Sequence, residues 1–148
     1  MDALVSNTFK MKIQIPVLVS FETDLLDFEY DKTHLKTFES DVQLMVNRVI
    51  AIKEGKTEKN KFLIKITILA STVDDQAKRS KKLEPTFSIS CSAHFSHNEE
   101  ISDFSPQNSL IRISTAQAYV LTNSLFKECL TKIGMDTSYM PVGIDFDI

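Results

Sequence analysis

The chain has 148 residues, 43% apolar and 25% charged, with a formal net charge of −3. That length supports one domain with a core of its own, spanning 1–148, and the slight acidity excludes a nucleic-acid binder that works by neutralising phosphates. Three scattered glycines, Gly55, Gly134 and Gly143, exclude a phosphate-cradling loop or a dinucleotide fingerprint, and no apolar run approaches the ~20 residues of a membrane helix.

The start, "MDALVSNTFKMK", lacks a basic segment followed by a long apolar run, so no secretory signal is read. Cys91 and Cys129 stand at apolar-phase positions and read as buried, reduced thiols of a cytoplasmic protein. "FKMKIQIPVLVSFE" predicts the first strand, because Phe9, Met11, Ile13, Ile15, Val17, Val19 and Phe21 alternate. Pro16 lies on the polar phase and predicts an edge position, a bulge or a bend. Residues 23–40 have no clean period. They mix Leu25, Leu26, Phe28, Tyr30, Leu35 and Phe38 with charges, and their length predicts a crossover rather than a hairpin.

"DVQLMVNRVIAIK", residues 41–53, predicts a second strand with apolar residues on both faces. Val42, Leu44, Val46, Ile50 and Ile52 share one face, and Met45, Val49 and Ala51 the other. A charged turn around Gly55 leads to "KFLIKITILAS", a third strand with Phe62, Ile64, Ile66, Ile68 and Ala70 in phase. Residues 72–85 read as a mobile polar loop, and its "KRSKK" as solvated charge rather than a nucleic-acid patch. "FSISCSAHFSH" is the fourth strand. Its Cys91, His94 and His97 invite a metal reading, but the alternation sends Cys91 and His94 to opposite faces. His97 lies about 20 Å along the strand from Cys91, whereas zinc ligands sit within about 2.3 Å of one ion.

After the connector "NEEISDFSPQNSL" the period changes. From about 113 to 133, apolar residues at 118, 121, 125 and 129 and at 119, 126, 130 and 133 predict a helix with a wide apolar stripe. Ser114 is a candidate N-cap and Gly134 a C-terminal stop. Four strands and then a helix predict an α+β fold: an antiparallel sheet with one long C-terminal helix packed on one face. No Ser or Cys is paired with a placeable His, and Asp145 and Asp147 are too little for a cation site. The chain therefore reads as a non-enzyme without metal or cofactor.

"LFKECLTKIGMDTSYMPVGIDFD", residues 125–147, resembles the last helix and following segment of SecB, the bacterial export chaperone family. The matching positions are Phe126, Lys127, Glu128, Cys129, Leu130 and Thr131, then Met140, Pro141, Val142, Phe146 and Asp147. Val19-Ser20-Phe21-Glu22 is similar to the segment that closes the family's first strand. The resemblance implies a four-stranded Greek-key sheet in a homo-oligomer, a dimer or dimer of dimers. It implies an ATP-independent holdase that keeps unfolded or partly folded polypeptides in hydrophobic grooves. Leu25, Leu26, Phe28, Tyr30, Leu35, Phe38, Met45, Tyr139, Met140 and Val142 are the groove residues it suggests. The family continues into a second helix and a tail that contacts the translocase ATPase, and this sequence stops at Ile148. Docking to that ATPase is therefore not expected. The alternative is a dedicated interaction protein, such as the antitoxin-specific chaperone of a toxin–antitoxin module. A third reading, an enzyme or small-ligand binder, requires a closed pocket with convergent polar groups.

Overall fold

The structure, a computed structural model, describes residues 6–10, 15–29, 42–52, 60–72, 86–138 and 140. They form β1 (Val17–Glu29), β2 (Val42–Ile52), β3 (Lys61–Thr72), β4 (Thr86–Ser96) and α1 (Ser109–Lys132). The sheet order is β1-β4-β3-β2, and every neighbouring pair is antiparallel. Strands β2 to β4 follow one another across the sheet, and β1 closes beside β4, which is Greek-key topology. Glu29 and Val42 thus sit on opposite edges of the sheet, and the part of the predicted crossover at 30–40 lies outside the described residues. Of the predicted loop at 72–85, Thr72 is the last residue of β3 and the rest lies outside the described residues.

Period-two alternation builds the core. Phe62, Ile64, Ile66 and Ile68 of β3 stand opposite Phe95, Ala93, Cys91 and Ile89 of β4. All eight are buried. Each large side chain taken fully out of water contributes roughly 1.5–3 kcal/mol. Phe62 and Phe95 stack with ring centroids 5.4 Å apart, and Phe104 meets Phe62 edge-on at 5.7 Å. α1 lies on this face and packs principally on β3 and β4. It buries Ile111, Ala118, Tyr119, Phe126 and Leu130.

The first strand differs from its predicted span. β1 begins at Val17, directly after the buried Pro16, and runs through residues 23–29, which the sequence assigns to the crossover. The reason is two register irregularities, between Leu18 and Ser20 and between Thr23 and Leu25. A bulge adds a residue and flips the alternation. Leu18, Phe21, Thr23, Leu26 and Phe28 therefore share the helix-side face although their numbers change parity twice. Leu25, Leu26 and Phe28 are strand residues, not crossover residues.

The helix also starts earlier than predicted. Asn108, not Ser114, is the N-cap, and its Oδ1 accepts the Leu110 N–H at 3.0 Å. Asn108 is held in turn by its Nδ2 donating to the Asp103 carbonyl at 2.5 Å. Ser114 lies within the helix and donates to the Leu110 carbonyl at 2.8 Å, as Thr122 does to Ala118. These intrahelical bonds let small polar residues face the sheet. The buried stripe thus includes Ser114, Thr115, Thr122 and Asn123, while Leu121, predicted on the stripe, is exposed.

The predicted stop at Gly134 holds. Gly134 takes φ +93°, Met135 N–H donates to the Leu130 carbonyl at 3.0 Å, and Gly134 N–H to the Thr131 carbonyl at 3.0 Å. This pair of bonds is the Schellman arrangement, with Met135 returned against the core.

A Cβ at Gly134 meets nothing within 4 Å, so substitution there acts through backbone strain alone. Gly134→Ala is expected to lower unfolding free energy by about 1–2 kcal/mol with unchanged circular dichroism, as urea denaturation will show. Thr115 Oγ1 is buried without a hydrogen-bond partner. Thr115→Val is therefore expected to stabilise by about 1 kcal/mol, read as a higher thermal midpoint.

Candidate functional site: the flanks of the helix

The sheet is four strands wide, and its outermost strand axes are about 14 Å apart at the usual spacing of ~4.8 Å. A helix with its side chains is about 10–12 Å across. One helix centred on β3 and β4 therefore leaves the helix-side rows of both edge strands only partly covered. On β1 the row is Leu18, Phe21, Thr23, Leu26 and Phe28. On β2 it is Val42, Leu44, Val46, Arg48, Ile50 and Ile52, each placed by its partner on β3. Leu18, Phe21, Phe28, Leu44, Val46 and Ile50 are half-buried against the core. Leu26, Val42 and Ile52 remain 45%, 45% and 41% exposed. Among the described residues, two apolar flanks result, one on each side of α1.

The suggested groove residues divide among three places. Leu26 and Phe28 lie on the β1 flank, and Phe28 meets Phe87 edge-on at 5.5 Å. Met140 is half-buried against the core after the helix. Leu25 and Met45 face the opposite side of the sheet, on its two different edges, and are 52% and 56% exposed. Tyr30, Leu35, Phe38, Tyr139 and Val142 lie outside the described residues. Leu18, Phe21, Leu44, Val46, Ile50 and Ile52 belong to the flanks and were not among the suggested residues. For β2 the signal was present in its alternation. For β1 it was hidden by the bulges.

The face away from the helix is polar along β4. Ser90 pairs with Thr67 at 2.8 Å, Ser92 donates to the Asp24 carboxylate, and His94 Nε2 meets Glu22 Oε1 at 3.2 Å. Ser20 stands directly across from His94, and Val19, Ser20, Leu63, His94 and Ser96 line a concavity of about 390 Å³. A serine, a histidine and a glutamate are thus neighbours. His94, however, gives its Nε2 to Glu22, and no hydrogen bond joins it to Ser20. The nucleophile–base bond of such chemistry is not formed, and both ring and carboxylate are open to water.

The candidate metal ligands separate as the alternation requires. Cys91 is buried under the helix, opposite Ile66, while His94 faces the other side opposite Leu63. His97 is buried beyond the strand end, where its Nδ1 accepts the Asn98 N–H at 2.9 Å. No group of three or more His, Cys, Asp or Glu among the described residues is placed to hold a metal ion. No helix of the described residues is long and apolar enough to cross a membrane.

Neither a protein-family model nor a curated protein matches this sequence. The fold, in contrast, matches a solved structure. It is similar to a SecB-like chaperone from Mycobacterium tuberculosis, solved in complex with a ChAD peptide from the HigA1 antitoxin. The TM-score is 0.57 over 88% of each chain, at 6% sequence identity. The chain therefore has a SecB-like fold.

Burial raises the Cys91 thiol above its ordinary pKa, against the opposing effects of its contacts with Thr23 and Thr122. Cys129, on the helix, is only half-buried. A thiol reagent at pH 8 is expected to modify Cys129 in the native protein and Cys91 only after unfolding. Peptide mapping of the labelled sites checks this.

Proposed function

We propose that this protein is an ATP-independent holdase that binds non-native polypeptide along the two apolar flanks of α1. One observation carries the reading: the helix leaves Leu26, Val42 and Ile52 exposed on rows that are otherwise packed into the core. An extended segment laid beside the helix would cover these side chains. Apolar burial at about 25 cal/mol per Å² rewards that contact with little demand on sequence. The fold likeness to a chaperone solved with a bound peptide supports the same use of this architecture. No nucleotide enters the scheme, since the three glycines are never clustered.

A second reading has its own support. The peptide in the similar structure comes from an antitoxin, so the flanks of this chain would serve one dedicated partner of that kind instead of many clients. The two readings share a surface and differ in selectivity. Affinity capture separates them: a spread of unfolded proteins supports the general holdase, and a single stoichiometric protein supports the dedicated one.

The test of the shared surface is light scattering of a chemically unfolded model protein diluted with and without this chain. Suppression at near-stoichiometric ratio without nucleotide is expected. Leu26→Asp places a carboxylate on the β1 flank without touching the buried core. It is expected to raise the ratio needed by several-fold while leaving circular dichroism unchanged. Equal suppression by wild type and variant would remove the β1 flank from the binding surface.

A further inference from the structure

The two flanks of the helix differ in charge. On β1 the helix-side row of Leu18, Phe21, Thr23, Leu26 and Phe28 holds no charged residue. On β2 the row is interrupted near its middle by Arg48. Arg48 stands between Val46 and Ile50 of the same row, directly across from Ile66, which is fully buried. It is itself half-buried. An arginine so placed covers apolar surface with its methylene stem, while its guanidinium requires water or an acceptor.

The other charges follow the same division. Among the described residues of the strands and the helix, the acids of β1 lie on the face away from α1: Glu22, Asp24, Asp27 and Glu29, with Ser92 holding Asp24 and His94 meeting Glu22. The helix-bearing side instead carries Arg48, Arg112, Lys127 and Lys132, with Glu128 as its acid, and Glu128 meets Lys132 at 3.2 Å. A chain that is acidic as a whole thus turns its cationic side to the place where the apolar flanks are. A field of that sign attracts acidic segments and repels basic ones.

We infer that the β2 flank takes polypeptide segments in which a carboxylate stands between apolar residues, and that Arg48 is the residue that selects them. This rests on the holdase reading and names the client class at one of its two surfaces. An extended segment laid on the flank turns every second side chain toward the sheet, at the same rise of about 3.3 Å per residue as β2 itself. Apolar side chains two residues to either side of an aspartate or glutamate therefore match Val46 and Ile50 when the carboxylate meets Arg48. Guanidinium and carboxylate pair through two parallel N–H···O bonds. A segment with an apolar or basic residue at that register closes the guanidinium off from water with no counter-charge in exchange. Selection then works by penalty as well as by attraction. The β1 row has no such residue and makes no such distinction.

Fluorescence anisotropy of three labelled peptides with the full chain tests the selection. Each peptide alternates leucine with serine, and its central leucine is replaced by aspartate, asparagine or lysine. The aspartate peptide is expected to bind roughly five- to tenfold more tightly than the asparagine peptide, and the lysine peptide most weakly. Arg48→Gln is expected to erase the difference between aspartate and asparagine. Arg48→Glu is expected to reverse the order in favour of lysine, and both variants to keep the circular dichroism of the parent. Lys65→Glu makes the same change of charge on the face away from the helix and is expected to leave the order as it is. Equal affinity of the parent for all three peptides overturns the inference and leaves the holdase reading standing. Binding of none of them overturns it as well, and unsuppressed light scattering then removes the holdase reading with it. A parental order that persists in Arg48→Glu, or that Lys65→Glu shifts equally, puts the recognition elsewhere and overturns the inference. So does an Arg48→Glu chain whose sedimentation changes instead of its peptide preference, because a second copy then covers the flank.

Discussion

Everything in this molecule depends on the contact between one helix and the two central strands of a four-stranded sheet. Ile64, Ile66, Ile89, Ala93 and Cys91 rise from β3 and β4 to meet α1, and the helix answers with Ile111, Ala118, Phe126 and Leu130. A cylinder about 10–12 Å wide cannot also cover the strands at either side. The width mismatch completes the core at its centre and leaves it incomplete along its flanks. The stable core and the surface proposed for polypeptide binding are therefore two parts of the same apolar face.

The helix meets the sheet through an unusual share of small polar groups. Ser114 and Thr122 are fully buried, and their hydroxyls are satisfied by carbonyls one turn back in their own helix. That arrangement removes the penalty of an unpaired buried hydroxyl and keeps the contact surface shallow. On β4 the helix-facing side chains Cys91, in contact with Thr122, and Ala93 are also small. Aromatic rings close the face at both ends of the sheet, with Phe62, Phe95 and Phe104 packed on one another at one end and Phe28 against Phe87 at the other.

The two edges of the sheet follow opposite physical rules. β1 is acidic and twice bulged, and its hydrogen-bonding partners on the face away from the helix tie Asp24 and Glu22 to Ser92 and His94. β2 is regular and apolar on both faces. A sheet with one protected edge and one open edge has a direction in which it can extend. The Greek-key order sets this contrast, because it sends the first strand to one border and the second to the other.

Much of this was legible in the residues. β3 and β4 alternate without interruption over Phe62–Ala70 and Phe87–Phe95, and their predicted core positions are buried, though Ser90 and Ser92 on the polar phase are buried as well. Gly134 ended the helix as expected, because only a residue free to adopt positive φ closes that turn without strain. The resemblance carried by residues 125–147 and 19–22 pointed to the fold that the architecture has. The site was less legible. Leu26 and Phe28 were suggested for binding but were assigned to a loop, and Leu25 and Met45 face away from the helix. Local pattern determines a strand's period, a helix's stop and which side chains seek a core. It carries no record of where an extra residue will be absorbed as a bulge, since that depends on the partner strand's register. Nor does it say which rows a single helix will leave uncovered. That was decided only by the tertiary structure, through the order of the strands and the width of the helix laid across them.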